Sequence, residues 1–465
     1  MGGASAIVRH LRGLAGGLLC STALAAPAWA EDGGVGGFLQ QVLDNATYQS
    51  ELVFTAYPRG AHQADSKGIE DENLEAWSHL SLDSSTFIGD YWSFGLGVEA
   101  VASTYRGAER GFFTPPGSRS GDGRFIDLSR LTLSYLGDTV EILMGKDEIP
   151  LGVAELYSPT DLYNQSNLAH PQQAVDFGVW QARADVYLDS GRLTGIILPV
   201  EEAAPGPADH SRWSGGSGSS GGSEFANLDI RGLPPNTDPE IHDDLRGSAP
   251  SEWGYLVQYK ATATGLDYYV TGYNGPSPYP VLKAAPNGPA NRFLKVYPRV
   301  TIASAGAALT EGSWKFYGES MGYLAADDRD EDLARMLLGV KYRETRLANQ
   351  LGLDEISPVL EYAKEWRFDE QSHDDYRLSS AEARPNPNNL LMSLTVNIDN
   401  EWKVGGLHNQ SLSDDDSLST LFVRYQPNDN LWLALSGTEY HGRDDTRFGR
   451  YSRHDNIELE VNYSF

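Results

Sequence analysis

The chain closes on Ile457-Glu458-Leu459-Glu460-Val461-Asn462-Tyr463-Ser464-Phe465, and the reading of this stretch decides the fold. Ile457, Leu459, Val461, Tyr463 and Phe465 fall on one side; Glu458, Glu460, Asn462 and Ser464 fall on the other. A strict period of two is the repeat of a β-strand, whose successive side chains point to opposite faces. One face is apolar and the other polar, and alternation alone does not say which of them meets water.

Working back from this strand, the same pattern recurs along the chain. Leu74, Ala76, Ser78, Leu80 and Leu82 alternate with Glu75, Trp77, His79 and Ser81, and Trp92, Phe94, Leu96, Val98 and Ala100 with Ser93, Gly95, Gly97 and Glu99. Met336, Leu338, Val340 and Tyr342 alternate with Arg335, Gly339, Lys341 and Arg343; Met392, Leu394, Val396 and Ile398 do so with Ser393, Thr395 and Asn397. Each segment has roughly the ten residues a tilted strand needs to cross a bilayer. Tight turns fall at Gly89-Asp90, Gly137-Asp138, Asp189-Ser190-Gly191, Thr264-Gly265, Glu311-Gly312, Asp399-Asn400 and Pro427-Asn428-Asp429. Between them lie long polar loops near 106–122, 147–174, 201–250, 275–291, 368–386 and 440–453. Short connections on one rim and long ones on the other are the arrangement of a transmembrane barrel. No constant period marks a solenoid. The expected fold is all-β: an up-and-down antiparallel β-barrel of about 18 strands (16–18), forming one domain over residues 31–465.

Composition agrees. A mean hydropathy of −0.40 suits a barrel in which every second strand residue meets lipid. At the N-terminus, Arg9, His10 and Arg12 precede an apolar run from Gly13 to Ala26 and then Ala28-Trp29-Ala30, so residues 1–30 read as a cleaved export signal. Its removal takes Cys20, the only cysteine, and excludes disulfides and thiol chemistry. It also leaves 34 basic against 64 acidic residues, a formal charge of −30, which excludes nucleic-acid binding. A short amphipathic helix is expected near Phe38 to Asn45. Trp92, Tyr135, Trp253, Tyr342, Trp366, Trp432 and Tyr463 sit near strand ends and suit interfacial girdles.

Two stretches carry a resemblance. A chain that stops on an aromatic residue after an alternating strand resembles an outer-membrane β-barrel, in which a terminal Phe, here Phe465, is what the barrel assembly machinery reads. The stretch from Gly145-Lys146 through Pro150, Leu151-Gly152 and Pro159-Thr160-Asp161-Leu162-Tyr163-Asn164 resembles the strand-to-loop passage of Gram-negative porin-like and alginate-export-like families. Leu151 stands where those families have Trp, and Lys146 where Arg is commoner. The resemblance implies an integral barrel in the outer membrane of a Gram-negative bacterium, in contact with lipid and lipopolysaccharide. It also implies that this third loop folds into the pore, making Lys146, Asp147, Glu148, Asp161 and Asn164 candidate constriction residues. A surface loop pinned by its two prolines is the other reading.

Catalytic chemistry is scarce. The histidines are scattered, with no HExxH helix and no GxSxG elbow, so no enzyme, cofactor or metal is expected. Taking the polar face of each strand as lumenal places Arg130, Arg183, Lys260, Arg299, Lys341, Arg343 and Arg424 inside, together with Glu141 and Glu361. Rings of arginine suit an anion path; equally, the two signs pair across strands to stiffen the wall. The fourth loop, with its Ser214–Ser223 tract of Gly and Ser, reads as flexible. The expected function is a porin-like channel for passive transport of small hydrophilic or anionic solutes through a charged lumen. Export of an anionic exopolysaccharide and a structural barrel sheathing a partner such as a cytochrome are the alternatives. A homotrimer and a monomer both stay open.

Overall fold

The computed structural model describes residues 35–60, 72–105, 108–118, 121–208, 211–214, 230–234, 237, 239–245, 249–286 and 288–465. The export-signal segment 1–30, with Cys20, and all of the Gly/Ser tract except Ser214 lie outside the described residues.

Helix α1 (Val35–Asp44) leads into a series of long strands. The first six are β1 (Ala46–Ala56), β2 (Leu74–Ile88), β3 (Trp92–Ser103), β4 (Ile126–Leu136), β5 (Val140–Asp147) and β6 (Val179–Leu188). Next come β7 (Gly191–Leu198), β8 (Gly254–Ala263), β9 (Leu266–Pro276), β10 (Arg299–Glu311), β11 (Trp314–Ala325) and β12 (Asp332–Tyr342). The last six are β13 (Glu355–Asp369), β14 (Asn388–Asn397), β15 (Trp402–Ser411), β16 (Ser417–Asn428), β17 (Leu431–His441) and β18 (Asn456–Ser464). They form one 18-stranded sheet in which each strand pairs antiparallel with the next. The terminal strand described first closes it: β18 pairs with β1, from Gln49 opposite Ser464 to Ala56 opposite Ile457. Closure leaves no sheet edge unpaired.

All seven expected tight turns fall on one rim, which also holds both ends of the strand series. Thr264 and Gly265 take φ of 46° and 82°, the left-handed pair that a two-residue hairpin turn requires. The eighth connection on this rim carries the short helix α2 (Arg346–Gln350). The expected long loops lie on the other rim, with further connections at 57–73, 326–331 and 412–416. Three segments of that rim, 240–243, 281–284 and 292–296, join 376–378 in a small separate sheet.

Side chains sort by the period of two. Leu74, Met144, Val257, Leu338 and Leu421 stand exposed on the outer wall, while Glu75, Asp185 and Glu361 are buried inside. Aromatic pairs ring the outer wall near the short-turn rim: Trp92 with Tyr135 (centroids 5.4 Å apart), Trp314 with Tyr342 (4.3 Å) and Trp402 with Tyr425 (4.5 Å). Phe465 stacks on Tyr48 at the same level, at 5.4 Å. Trp432 departs from the expected girdle. It lies on the inward phase, with the Arg424 guanidinium 4.1 Å from its ring centroid.

One sector inverts the rule. Ile196, Leu256, Val300, Ile302, Met321, Leu333 and Leu337 hold inward positions on β7 to β12, yet they are apolar and buried. Water does not cover them, because a loop does.

Candidate functional site

That loop is the third, residues 148–178. Pro150 and Pro159 lack the N–H a strand ladder needs, so the chain leaves β5 and cannot go on pairing. Asn164 staples its base: the side-chain oxygen accepts from the Ile149 N–H at 2.7 Å, and Nδ2 donates to the Ile149 carbonyl at 3.1 Å. The loop then crosses the barrel to β10–β14. Ile149 and Tyr163 pack into the cluster of Leu256, Ile302, Tyr323 and Leu333, with Leu151 and Leu162 alongside. Val153, Ala154, Leu156 and Tyr157 pack on Ala308, Tyr317, Leu337, Ala363 and Leu391. The apolar inward residues are therefore the seat of the loop, and their burial supplies its hydrophobic docking energy.

Two wall carboxylates fix its tip. Glu361 on β13, fully buried, accepts the backbone N–H groups of Glu155 and Leu156 at 2.9 Å each and of Tyr157 at 3.1 Å. Glu319 on β11 accepts the Ala154 N–H at 3.0 Å and the hydroxyls of Ser158 at 2.6 Å and Thr160 at 3.0 Å. An irregular backbone inside a barrel has no ladder to satisfy its amides, and charged acceptors satisfy them strongly. Lys315 and Lys341 close the clamp on the Glu155 carboxylate, at 2.6 and 2.8 Å, and hold its pKa below the usual range even though burial pushes it up.

Cross-strand glycines make room for the clamp. Glu319 is opposite Gly306 and Leu337, and Glu361 is opposite Gly339 and Leu391. A Cβ on Gly339 would come within 2.2 Å of the Tyr317 ring, and one on Gly306 within 2.5 Å of Tyr269. The two rings thus lie flat across glycine, and the Tyr317 hydroxyl reaches Glu361 at 2.6 Å. The sequence reading missed Glu319. Its signal is an inward acid whose cross-strand partners are glycine and leucine, so that no basic side chain beside it takes the charge.

The other expected residues fall into three groups. On the inward phase, Arg130 donates to Asp83 at 2.9 Å, and Arg183 to Asp185 at 2.8 Å with Asp147 at 3.9 Å. Glu141 accepts from the Tyr187 hydroxyl at 3.0 Å, Arg424 covers Trp432, and Lys260 stands exposed near the short-turn rim. Asp161 and Glu148 share the loop with Asn164. Burial first, then the carboxylates of Asp176, Glu319 and Glu148, raises the Asp161 pKa to about 6, and burial and Asp176 raise that of Glu148. Arg130, Arg183 and Lys341 thus face acids, whereas Arg424 lies on an aromatic ring.

Three residues stand elsewhere than expected. Lys146 is on the outward phase with Ile142 and Met144, buried against Glu202 at 3.1 Å beneath the stem of the fourth loop. Arg299 also points outward, because Val300 and Ile302 take the inward positions under the loop; it donates to Asn274 at 2.9 Å and to the Ser251 carbonyl at 2.7 Å. Arg343 lies past the end of β12, largely exposed, and pairs with Glu355. At both arginines polarity alone does not give direction, since each sits at a strand end.

A cavity of about 670 Å³ opens between this loop and its neighbours, lined by Tyr163, Tyr273, Tyr279, Tyr451, Arg447 and Arg450. Burial and the adjacent Arg450 lower the Arg447 pKa. Where it is described, the fourth loop is pinned: the Arg212 guanidinium lies 3.5 Å from the Tyr57 ring centroid, and Trp213 packs against Tyr440, Tyr451 and His454. Among the described residues, no group of three His, Cys, Asp or Glu side chains is placed to hold a metal ion.

No protein-family model matches the chain, and no curated protein matches its sequence. Among solved structures it is similar to OccAB4 of Acinetobacter baumannii, at 9% identity over 90% of this chain and 98% of that one, with a TM-score of 0.46. It is similar also to OccK8 (OprE) of Pseudomonas aeruginosa, at 9% identity over 91% and 98% and a TM-score of 0.45. A loop L8 deletion mutant of OmpT, an outer membrane protein of Vibrio cholerae, matches at 10% identity over 90% and 99%, with a TM-score of 0.39.

Proposed function

We propose that the chain is an outer-membrane channel through which small hydrophilic solutes diffuse passively, along a lumen narrowed by its third loop. The observation that carries the reading is the clamp of Glu319 and Glu361 on residues 154–157. An eighteen-strand wall encloses more space than its own side chains fill. The wall turns apolar residues outward and polar ones inward, the sorting expected where hydrocarbon lies outside and water within. A loop held across that space sets the limiting width, and a narrowed path favours small solutes over a polymer. The pairs Arg130–Asp83 and Arg183–Asp147, with the acids gathered around Asp161, give the path a mixed lining with acids nearest the loop. Swelling of proteoliposomes in isotonic solutes tests this reading. Pentoses and hexoses are expected to enter and oligosaccharides of increasing length to enter progressively more slowly. Vesicles that do not swell in any of them would refute a diffusion channel.

A further inference from the structure

Helix α1 packs on the outside of the barrel wall, at the short-turn rim. Its contacts are with outward positions of β2 and β3: Val42 is buried there, and the Phe38 ring meets Phe94 edge-on at 5.5 Å. Ser84 and Thr86 occupy outward positions that elsewhere on the wall are apolar. The Ser84 hydroxyl donates to the Val42 carbonyl at 2.6 Å, Thr86 to that of Gln41 at 3.5 Å, and Asn45 Nδ2 to Thr86 at 3.1 Å. The last carbonyls of a helix have no intrahelical partner, and in an apolar medium each one left bare is costly; here the wall supplies the donors. Beside the docked face, Leu39 and Leu43 project one turn apart, about half exposed. Gln40 and Asp44, hydrogen-bonded to each other at 2.8 Å, lie roughly 100° further round, on the side turned away from the docked face.

We infer that α1 is a membrane-boundary anchor: Leu39 and Leu43 enter the acyl-chain edge of the leaflet at the short-turn rim, and Gln40 and Asp44 meet water. This rests on the outer-membrane reading of the barrel. The occupant is lipid because α1 docks on Phe94, the next outward residue after Trp92 of the Trp92–Tyr135 pair, at the rim where interfacial aromatics gather. Nitroxide labels at Leu43→Cys, Asp44→Cys and Leu435→Cys, each in a Cys20→Ser chain reconstituted in phosphatidylcholine vesicles, test it by their relative access to oxygen and to a water-soluble nickel chelate. Leu435 is exposed at mid-wall on β17. The expected result is deep lipid exposure at 435, shallow lipid exposure at 43 and nickel access at 44. Nickel access at 43 with lipid exposure at 435 overturns the anchor and leaves the channel standing. Nickel access at 435 overturns the membrane reading itself. Spin–spin broadening at 43 makes a second copy of the chain the occupant and overturns lipid.

Discussion

The Glu361 carboxylate on β13 accepts the backbone N–H of Glu155 at 2.9 Å, across 206 positions of sequence and the width of the barrel interior. This bond and its neighbours turn a loop that would otherwise hang at the rim into part of the lumen wall. Hydrogen bonds to a charged group contribute roughly 1.5–3 kcal/mol each. Replacing Glu361 by Gln removes the charge and one acceptor oxygen while keeping the size. The expected loss of about 3 kcal/mol in loop docking corresponds to amide exchange at 155–157 faster by about 100-fold. Hydrogen exchange read by mass spectrometry checks this, with the strand amides unchanged.

Gly339 lets the Tyr317 ring lie against the wall and reach Glu361. Gly339→Ala is expected to displace that ring and to cost roughly 1–3 kcal/mol, the range for overpacking a filled site. Thermal unfolding in detergent should show the loss, and Gly339→Ala with Tyr317→Ala should recover part of it by removing the clash.

Asp161 titrates near pH 6 because burial and surrounding carboxylates disfavour its charged form. As its folded pKa is raised, the protonated state gains as pH falls through about 6, and the negative charge beside the loop disappears in that window. Cation preference, read as the reversal potential across a salt gradient, is expected to fall between pH 7 and pH 5. Asp161→Asn should show the low-pH value throughout and no step near 6.

Lys146 and Glu202 form a buried pair on the outer side of the wall. Removing one partner of a buried pair costs roughly 3–5 kcal/mol, so Lys146→Met is expected to loosen the stem of the fourth loop and expose it to protease. Adding Glu202→Gln, which keeps an acceptor for the Trp180 N–H at 2.7 Å, should restore protection. Ion selectivity should not change in either variant, since neither group faces the lumen.

These residues also mark where the sequence was legible. The alternation at Leu74–Leu82, Trp92–Ala100 and Ile457–Phe465, and turns such as Thr264-Gly265, are local patterns, and a strand's period and a turn's φ are set locally. The number of strands and the closure of β18 on β1 follow from them. The inward faces of β10 to β12 were not legible, because Val300, Ile302, Leu333 and Leu337 are apolar for the sake of a loop that lies far away in sequence. Taking polarity for direction turned Arg299 the wrong way for that reason. Lys146 misled differently, since its charge is neutralised by Glu202, a loop residue 56 positions on. Loop three itself was visible through Pro150, Pro159 and Asn164, whereas its receptor Glu319 looked like any wall acid. Nearness to a turn says nothing of direction at Trp432, and only its register opposite Asn462 and the Arg424 guanidinium over its ring show that it faces inward.

Single-channel conductance of the double variant Glu319→Gln/Glu361→Gln in a planar bilayer, against the unaltered chain, tests the clamp most directly. If the two carboxylates hold the third loop across the lumen, the variant opens in larger or fluctuating steps while its barrel stays folded. Steps of the same size and steadiness in both proteins would contradict the account.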